Sequence, residues 1–378
     1  MSDRRAQRAD AASARVGARS ARLVDQIARD GGRRPWSLDR VLVVALCTPV
    51  HVVTAAFAVC GVLLLVLGST WPLKLLGVLC LLLVVGLIGP SRLLLSAKER
   101  TERRRLRTPG LMQHDATRAL VSEIAVLVGS PVPDRLEVVR DFNAYVAHRG
   151  RRRVLSYGAP LWLAERREER IATLAHEMGH FAHGDLLQGW WTANAMVSLA
   201  GWHDVFDVDP RADLGPLASV VTWPVRALLR GYIRLIELAA APSHRRQEHY
   251  ADLASAVAAG TTSGVGGLEV LLAAPAVEVA GSAAAVRRES LGPAIIEFRA
   301  GYDADRRAAS RRRGDVEKSR IDDTHPPTMQ RIRLLESIEH LAPAVTRTDE
   351  EWAAIEAEWD PTLTSQLAKL GERYRYRR

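Results

Sequence analysis

The stretch that decides the interpretation of this chain covers residues 173–185 and reads TLAHEMGHFAHGD. It contains the pattern H-E-x-x-H, which on a helix places His176 and His180 on one face, one turn apart, where two imidazoles can bind one metal ion. Glu177 lies beside that face, where a carboxylate can accept a proton from a metal-bound water without ligating the metal. The stretch therefore predicts a zinc-hydrolase helix.

The neighbouring residues support a helix and leave the third ligand open. Residues 164–174 are rich in helix formers and lack Pro, and Gly184 suits a helix C-cap. The longer metzincin signature requires Gly and His where this chain has His183 and Leu186. The third ligand must therefore come from another part of the chain.

Composition narrows the possible partners. The formal net charge of +9 comes almost wholly from Arg, which suits either nucleic acid or an anionic membrane surface. No zinc-finger or RNP sequence accompanies the charge, so we expect no nucleic-acid partner. The hydrophobic segments described next favour the lipid bilayer.

Two apolar segments, at 41–67 and 73–88, each approach the roughly 20 residues that a helix needs to cross a bilayer. A short turn at 68–72 joins them, which predicts a transmembrane helical hairpin. A hairpin buried in a soluble core is the alternative. Basic residues flank both segments, and the turn between them is uncharged, so the positive-inside rule places both ends and the catalytic domain in the cytoplasm. The expected location is the cell membrane, with more than one pass.

Three short segments, at 136–139, 143–147 and 153–157, are predicted to be strands and follow an amphipathic helix at 112–128. A small sheet before a metal-binding helix can hold an extended peptide along its edge strand. The alternative is that the strands only cover the helix.

A further helix is predicted to begin at Ser243 and to stop at Gly260. Glu248 and Asp252 are four residues apart, so both can face the metal helix. Glu248 then suits the third ligand, and Asp252 suits a carboxylate that fixes the tautomer of a ligand histidine. Without the partner motif, this pair would be an ordinary charged helix face.

Four short motifs in order resemble those of the HtpX-like and CAAX prenyl-protease superfamily of membrane zinc metallopeptidases. They are Asn143-Ala144-Tyr145, His176 to His180, Arg245-x-x-Glu248-x-x-Ala251-Asp252 and Asp323-Thr324-His325-Pro326-Pro327-x-x-x-Arg331-Ile332. The resemblance covers roughly residues 110–340. One departure is the Ser-Arg pair before the ligand Glu, since only Arg245 keeps its register.

The resemblance implies a gluzincin core with one zinc ion held by His176, His180 and Glu248. Glu177 would be the base, and Asp252 and Arg245 would lie behind the ligands. Asn143 and His325 would hold the substrate or stabilise the oxyanion. The implied substrate is a protein or peptide.

The expected fold is mainly α with a small β-sheet, that is, α+β. The expected parts are a polar tail (1–40), a two-helix transmembrane hairpin (41–95), a zincin-like metallopeptidase domain (110–342, with 186–241 as interfacial or solvated helices) and a C-terminal appendage (343–378). Residues 260–267 are expected to form a flexible loop.

The predicted function is that of a membrane-anchored zinc metalloendopeptidase, which the resemblance connects with membrane-protein quality control. A catalytically silent metal-binding adaptor or sensor with the same fold is the alternative. A signalling sensor-protease is disfavoured, because the chain shows no recognisable extracellular sensor domain. The sequence does not specify the oligomeric state or the cleavage preference.

Overall fold

The computed structural model describes residues 38–85, 110–149, 152–182, 185–207, 215–316 and 326–376. Over these residues the chain forms two compact units. The core unit contains the described residues of Pro109–Leu186 and His244–Arg378, and the hairpin unit contains those of Pro35–Thr108 and Leu187–Ser243. Each unit is considered by itself below.

The elements follow one another as a mainly helical chain with one small sheet. In chain order they are α1 (Leu38–Leu67), α2 (Trp71–Val85), a 3₁₀ turn (Leu111–Gln113), α3 (Asp115–Leu127), β1 (Arg135–Val139), β2 (Ala144–Arg149), β3 (Arg152–Gly158), α4 (Ala159–Ala164), α5 (Arg167–Ala182), α6 (Asp185–Phe206), α7 (Gly215–Ala259), α8 (Thr261–Leu272), α9 (Ala274–Val286), α10 (Leu291–Ala300), α11 (Ala304–Val316), α12 (Thr328–Glu336) and α13 (Asp349–Tyr376). The predicted α+β class is confirmed.

The sheet lies in the core unit and has the strand order β1-β3-β2. β1 runs parallel to β3, with Leu136 opposite Leu155, and β2 runs antiparallel to β3, with Val146 opposite Leu155. The three predicted strands are therefore confirmed, with ends that differ by one or two residues. β2 lies at one edge of this sheet, as a peptide-binding strand requires.

The close approach of α5 and α7 brings the predicted metal-binding motifs together. A Cβ atom added to Gly179 would lie 3.0 Å from Cα of Ala251, so a glycine within H-E-x-x-H allows the two helices to touch. The helix expected from Ser243 to Gly260 ends at Ala259 as predicted. Its start differs, because α7 is continuous from Gly215 and includes Pro242.

The glycine-rich segment 260–267 was expected to be a flexible loop, and the structure corrects this, because it forms the first half of α8. Its glycines lie against neighbouring helices. A Cβ atom at Gly264 would lie 3.2 Å from Cδ1 of Leu335, and one at Gly266 would lie 2.5 Å from Oε1 of Glu169. Close packing of α8 on α5 and α12 thus offsets the poor helix propensity of glycine.

The C-terminal segment is integrated into the core. On α13, Trp359 is fully buried and stacks on Trp162 of α4, with ring centroids 3.6 Å apart. Glu358 accepts hydrogen bonds from the backbone N–H groups of Ala116 and Thr117, at 3.0 and 2.8 Å, and so caps the start of α3. The described residues of this segment, up to Tyr376, therefore pack as part of the core unit.

The hairpin unit contains the candidate membrane segment. Among the described helices, α1 alone is long and apolar enough to cross a bilayer, with a mean hydropathy of 2.6 in its most apolar window. The bent pair α8 and α9 passes the same test only when taken as one span. α2 is a shorter apolar helix, and residues 86–95 of the expected hairpin lie outside the described part of the chain.

Within the hairpin unit, α1 packs on α6 and on the first part of α7. Buried side chains of the three helices form one cluster: Val43, Cys47, Val50, Ala195, Leu199, Ile236 and Ala240. The Tyr232 hydroxyl donates a 2.6 Å hydrogen bond to the carbonyl oxygen of Leu46, and Arg226 pairs with Asp207 at 2.8 Å. The segment 186–241 thus contributes two helices that enclose one face of α1.

Candidate metal centre

The three predicted ligands converge in the core unit. His176 and His180 on α5 and Glu248 on α7 each offer one ligand atom, and these atoms lie within 4.8 Å of one another. Nε2 of His176 is 3.7 Å from Oε2 of Glu248, and Nε2 of His180 is 3.6 Å from Oε1 of the same residue. The two helices therefore bring the three side chains together, as both sequence patterns together predicted.

The donor set fits zinc in kind and in spacing. Structural and catalytic zinc sites use imidazole nitrogens and carboxylate oxygens about 2.0–2.2 Å from the ion, which corresponds to a ligand separation of about 3.4 Å at a tetrahedral edge. The separations of 3.7 Å to Oε2 and 3.6 Å to Oε1 of Glu248 are close to that value, one on each carboxylate oxygen. Three protein ligands also leave one tetrahedral position open, as hydrolytic zinc sites require.

Asp252 lies behind the first ligand. Its Oδ1 is 3.1 Å from Nδ1 of His176. Because an ionised carboxylate only accepts hydrogen bonds, it favours the tautomer of His176 with the proton on Nδ1, which leaves the Nε2 lone pair for a metal. This is the role that the spacing of Glu248 and Asp252 suggested.

Arg331, on α12, holds Asp252 in turn. Its Nε is 3.1 and 3.0 Å from the two Asp252 oxygens, and its Nη2 is 2.7 Å from Oδ1. The same Nη2 is 3.3 and 3.2 Å from the two ring nitrogens of His176. Arg331 therefore contacts both the carboxylate of Asp252 and the imidazole of His176.

Electrostatics keep this buried carboxylate ionised. Burial by itself would raise the pKa of Asp252, but the charge of Arg331 and hydrogen bonds from His176 and Arg331 outweigh burial and hold the pKa well below its usual range. Burial likewise opposes the charged form of Arg331, and Asp252 with Glu248 more than compensates and raises the pKa of the guanidinium. The pair therefore stays charged at any physiological pH.

Glu177 and Asn143 line one cavity together with His176, the first of the three predicted ligands. This active-site cavity has a volume of about 170 Å³, and His176, Asp252 and Arg331 also line it. Glu177 is buried and Asn143, directly before β2, is exposed. The cavity thus brings the predicted base and one predicted oxyanion-stabilising residue to the same space as His176.

Of the two remaining predicted residues, only Arg245 lies in the described part of the chain. Arg245 is exposed on α7, and the arginine in contact with Asp252 is Arg331. His325 lies outside the described part of the chain. Arg331 was present in the motif that carried the family resemblance, but its position in that motif did not reveal that it contacts Asp252, because the contact joins residues 79 positions apart.

The sequence also gave no sign of a buried carboxyl group beneath the active-site cavity. Glu165 is fully buried between β3 and α5 and accepts hydrogen bonds from the Tyr157 hydroxyl and, at 2.6 Å, from Thr173. Burial raises the pKa of Glu165 to about 8, although these two hydrogen bonds lower it. Through these two hydrogen bonds, Glu165 connects Tyr157 of the sheet to Thr173 of the metal-binding helix. Thr173 also lines the active-site cavity.

We expect Glu165 to make the core unit less stable as pH rises. Its pKa is about 8 in the folded chain against an ordinary 4.5, so folded protein binds more protons between these values. The free energy of unfolding should fall by up to about 1.4 kcal/mol per pH unit across this window. Glu165→Gln lacks this pH-dependent loss of stability. From pH 5 to pH 8 the thermal midpoint of the wild type should therefore fall relative to that of the variant.

Tryptophan fluorescence of the two proteins at each pH would measure this difference. Comparison with the variant cancels the contribution of every titratable group that the two proteins share. The other charged groups around Glu165 are Glu169, Arg170 and Arg299, and they are the same in both proteins. A difference that stays constant over the window would show that Glu165 is ionised in the folded state.

Two imidazoles and a carboxylate beside a buried glutamate define the site of a metal-dependent hydrolase. The chain belongs to Peptidase family M48, which it matches over residues 113–339. This family contains HtpX and the CAAX prenyl proteases, so the resemblance drawn from the four motifs is confirmed. The protein is accordingly a metallopeptidase. Neither a curated protein nor a solved structure matches the chain.

Proposed function

We propose that this metallopeptidase is a membrane-anchored zinc endopeptidase that hydrolyses peptide bonds in protein substrates at the cytoplasmic face of the cell membrane. The convergence of His176, His180 and Glu248 beside Glu177 is the observation that carries the proposal. An adaptor that only binds metal would have no need of Glu177, so its presence in the cavity supports hydrolysis.

The three ligands and the residues of the cavity would each have a separate role in hydrolysis. Zinc held by the three ligands would polarise the scissile carbonyl and lower the pKa of a water molecule. Glu177 would accept a proton from the attacking water and pass it to the leaving amine. Asn143 would donate its side-chain N–H to the oxyanion of the tetrahedral intermediate, and we assign His325 the same purpose. Asp252, held by Arg331, would keep His176 in the tautomer that binds zinc.

The edge strand offers a way to hold the substrate. Asn143 and Ala144, at the start of β2, both line the active-site cavity. A polypeptide that added to the β2 edge by main-chain hydrogen bonds would therefore lead into the cavity in an extended form. Binding of this kind does not require a free N- or C-terminus of the substrate, which favours an endopeptidase.

The hairpin unit supports the membrane anchor. α1 combines a span of sufficient length with an apolar surface that is mostly exposed, as a lipid-facing helix requires. Basic residues on both sides of the expected hairpin favour a cytoplasmic core unit. A protease anchored in this way would meet membrane proteins first, which suggests a role in their quality control.

Metal content and proteolysis of the detergent-purified protein test the proposal together. We expect about one zinc ion per chain and cleavage of casein, loss of both after treatment with a chelator, and recovery when zinc is restored. His180→Ala should lose both properties, whereas His340→Ala, at an exposed histidine outside the site, should keep both. A protein that binds zinc and leaves casein and other unfolded proteins intact would favour the silent adaptor.

A further inference from the structure

A second cavity in the core unit lies near the active site and plays no part in the chemistry above. This outer cavity has a volume of about 310 Å³. Its floor is apolar and buried, formed by Val277, Leu291, Ile295 and Leu370, and the rings of Phe142 and Tyr374 complete its wall. It therefore offers a half-open cavity with an apolar floor, on the scale of one or two side chains.

The outer cavity and the active-site cavity are lined by neighbouring stretches of the chain. At three places, residues that are close neighbours in the sequence line one cavity each: Phe142 and Asn143, Pro160 and Leu161, and Ala274 and Leu271, with the outer cavity first in each pair. In the first two pairs the residues are consecutive, so their Cα atoms are about 3.8 Å apart. An extended peptide advances about 3.3 Å per residue, so a few residues would carry it from one cavity to the other.

We propose that the outer cavity is a substrate-recognition site that binds a large apolar or aromatic side chain a few residues away from the scissile bond. The proposal rests on the proposed peptidase function and extends it to substrate choice. The substrate held by the β2 edge passes Asn143, and Phe142 is the next residue along the wall. A polypeptide that continued along this wall past Asn143 would therefore reach the outer cavity.

The charges around the cavity explain why an apolar side chain is selected. Arg140 and Arg373 are balanced by Asp141 and Glu278, so the lining has no net charge. Arg373 lies 3.9 Å from Asp141, and both side chains are well exposed to solvent. These groups therefore remain hydrated at the entrance, and the apolar floor supplies the binding free energy.

Photo-crosslinking of peptides tests the proposal without requiring hydrolysis. Casein-derived peptides would carry benzoylphenylalanine at successive positions and would bind the full-length, zinc-loaded Glu177→Gln protein. We expect benzoylphenylalanine at one position of the peptide to crosslink to Phe142 or Tyr374. Mass spectrometry would map the crosslinked residues. An unlabelled peptide with Phe at that position should compete about tenfold better than the same peptide with Ser.

A matched pair of variants on α9 tests the location. Gly281→Leu would extend a side chain into the outer cavity, because a Cβ atom there lies 3.4 Å from Cε2 of Tyr374 and meets no closer atom. It also replaces a poor helix former by a good one, so the helix should fold. This variant should reduce crosslinking at Phe142 about tenfold, whereas Val279→Leu, on the exposed face of the same helix, should not.

Each outcome bears on the proposal. Absence of crosslinks in the outer cavity, equal competition by the Phe and Ser peptides, or unchanged labelling in Gly281→Leu would overturn it. If the wild-type protein cleaves casein and the outer cavity is not labelled, substrate recognition at this place fails and the peptidase function stands. If the outer cavity is labelled specifically and casein is not cleaved, the peptide site stands and hydrolysis fails.

Discussion

Glu177→Gln should lower kcat for casein cleavage about 10²- to 10⁴-fold, which is the usual contribution of a general base. Gln has the same shape and can still form hydrogen bonds, but it cannot take a proton from the attacking water. Glu177 is 8 % exposed and lines the active-site cavity, yet it is not one of the three converging ligands. The metal content of the variant should therefore equal that of the wild type.

Zinc content and initial rates of casein cleavage, measured on the same preparations, would check this prediction. Glu168→Gln is a suitable control, because Glu168 lies on the same helix, is exposed and does not line the active-site cavity. Its rate should match that of the wild type. A Glu177→Gln protein that holds zinc and cleaves casein at the wild-type rate would exclude Glu177 as the base.

The parts of the site that depend only on residues close together in the sequence could be predicted from it. H-E-x-x-H and the pair Glu248 and Asp252 each depend on the spacing of four residues within one helix, and helical periodicity determines which side chains share a face. The three strands are likewise predicted from short local segments. These features need no knowledge of the tertiary structure.

Contacts between distant segments could not be predicted in the same way. The glycines between 260 and 267 were read as breakers, because local propensity gives no information on the neighbouring helices that a side chain would meet at Gly266. The C-terminal helix appeared as an appendage, since its stacking partner Trp162 lies nearly 200 residues earlier. Long-range packing overrode the local pattern in both cases.

The ionisable groups around the metal centre show the same limit. Glu165 and Arg331 look like ordinary charged residues in the sequence, and only burial makes them important. The motif alone did not show which arginine contacts Asp252. Arg245 lies on the same helix as Asp252, whereas the contact comes from Arg331 on α12. A buried charge must find a partner, so such residues can be identified once burial is known.

Arg331→Met should both destabilise the core unit and weaken metal binding. The variant would leave the buried carboxylate of Asp252 without its bidentate partner, and breaking a buried ion pair typically costs about 3–5 kcal/mol. Asp252 would also be released from the position in which it orients His176. Loss of such support typically lowers metal affinity about 10- to 100-fold.

Chemical unfolding and competition with a zinc chelator would measure the two effects separately. Arg333→Met is the matched control, since Arg333 lies two residues further on the same helix and forms only an exposed ion pair with Asp315. Such surface pairs contribute little, so this variant should resemble the wild type in both measurements. Equal behaviour of the two variants would show that Arg331 does not support the metal centre.

A double-mutant cycle would then separate the ion pair from simple loss of packing. Asp252→Asn removes the buried charge, so adding Arg331→Met to it should cost much less than Arg331→Met alone. We expect zinc affinity, measured by chelator competition, not to recover in the same way as stability. Asn at 252 can accept a hydrogen bond from Nδ1 of His176 only weakly, so metal affinity should stay low in the double variant even where stability recovers. That separation would identify Asp252 as the group that acts on the metal ligand and Arg331 as the residue that keeps Asp252 charged and in place.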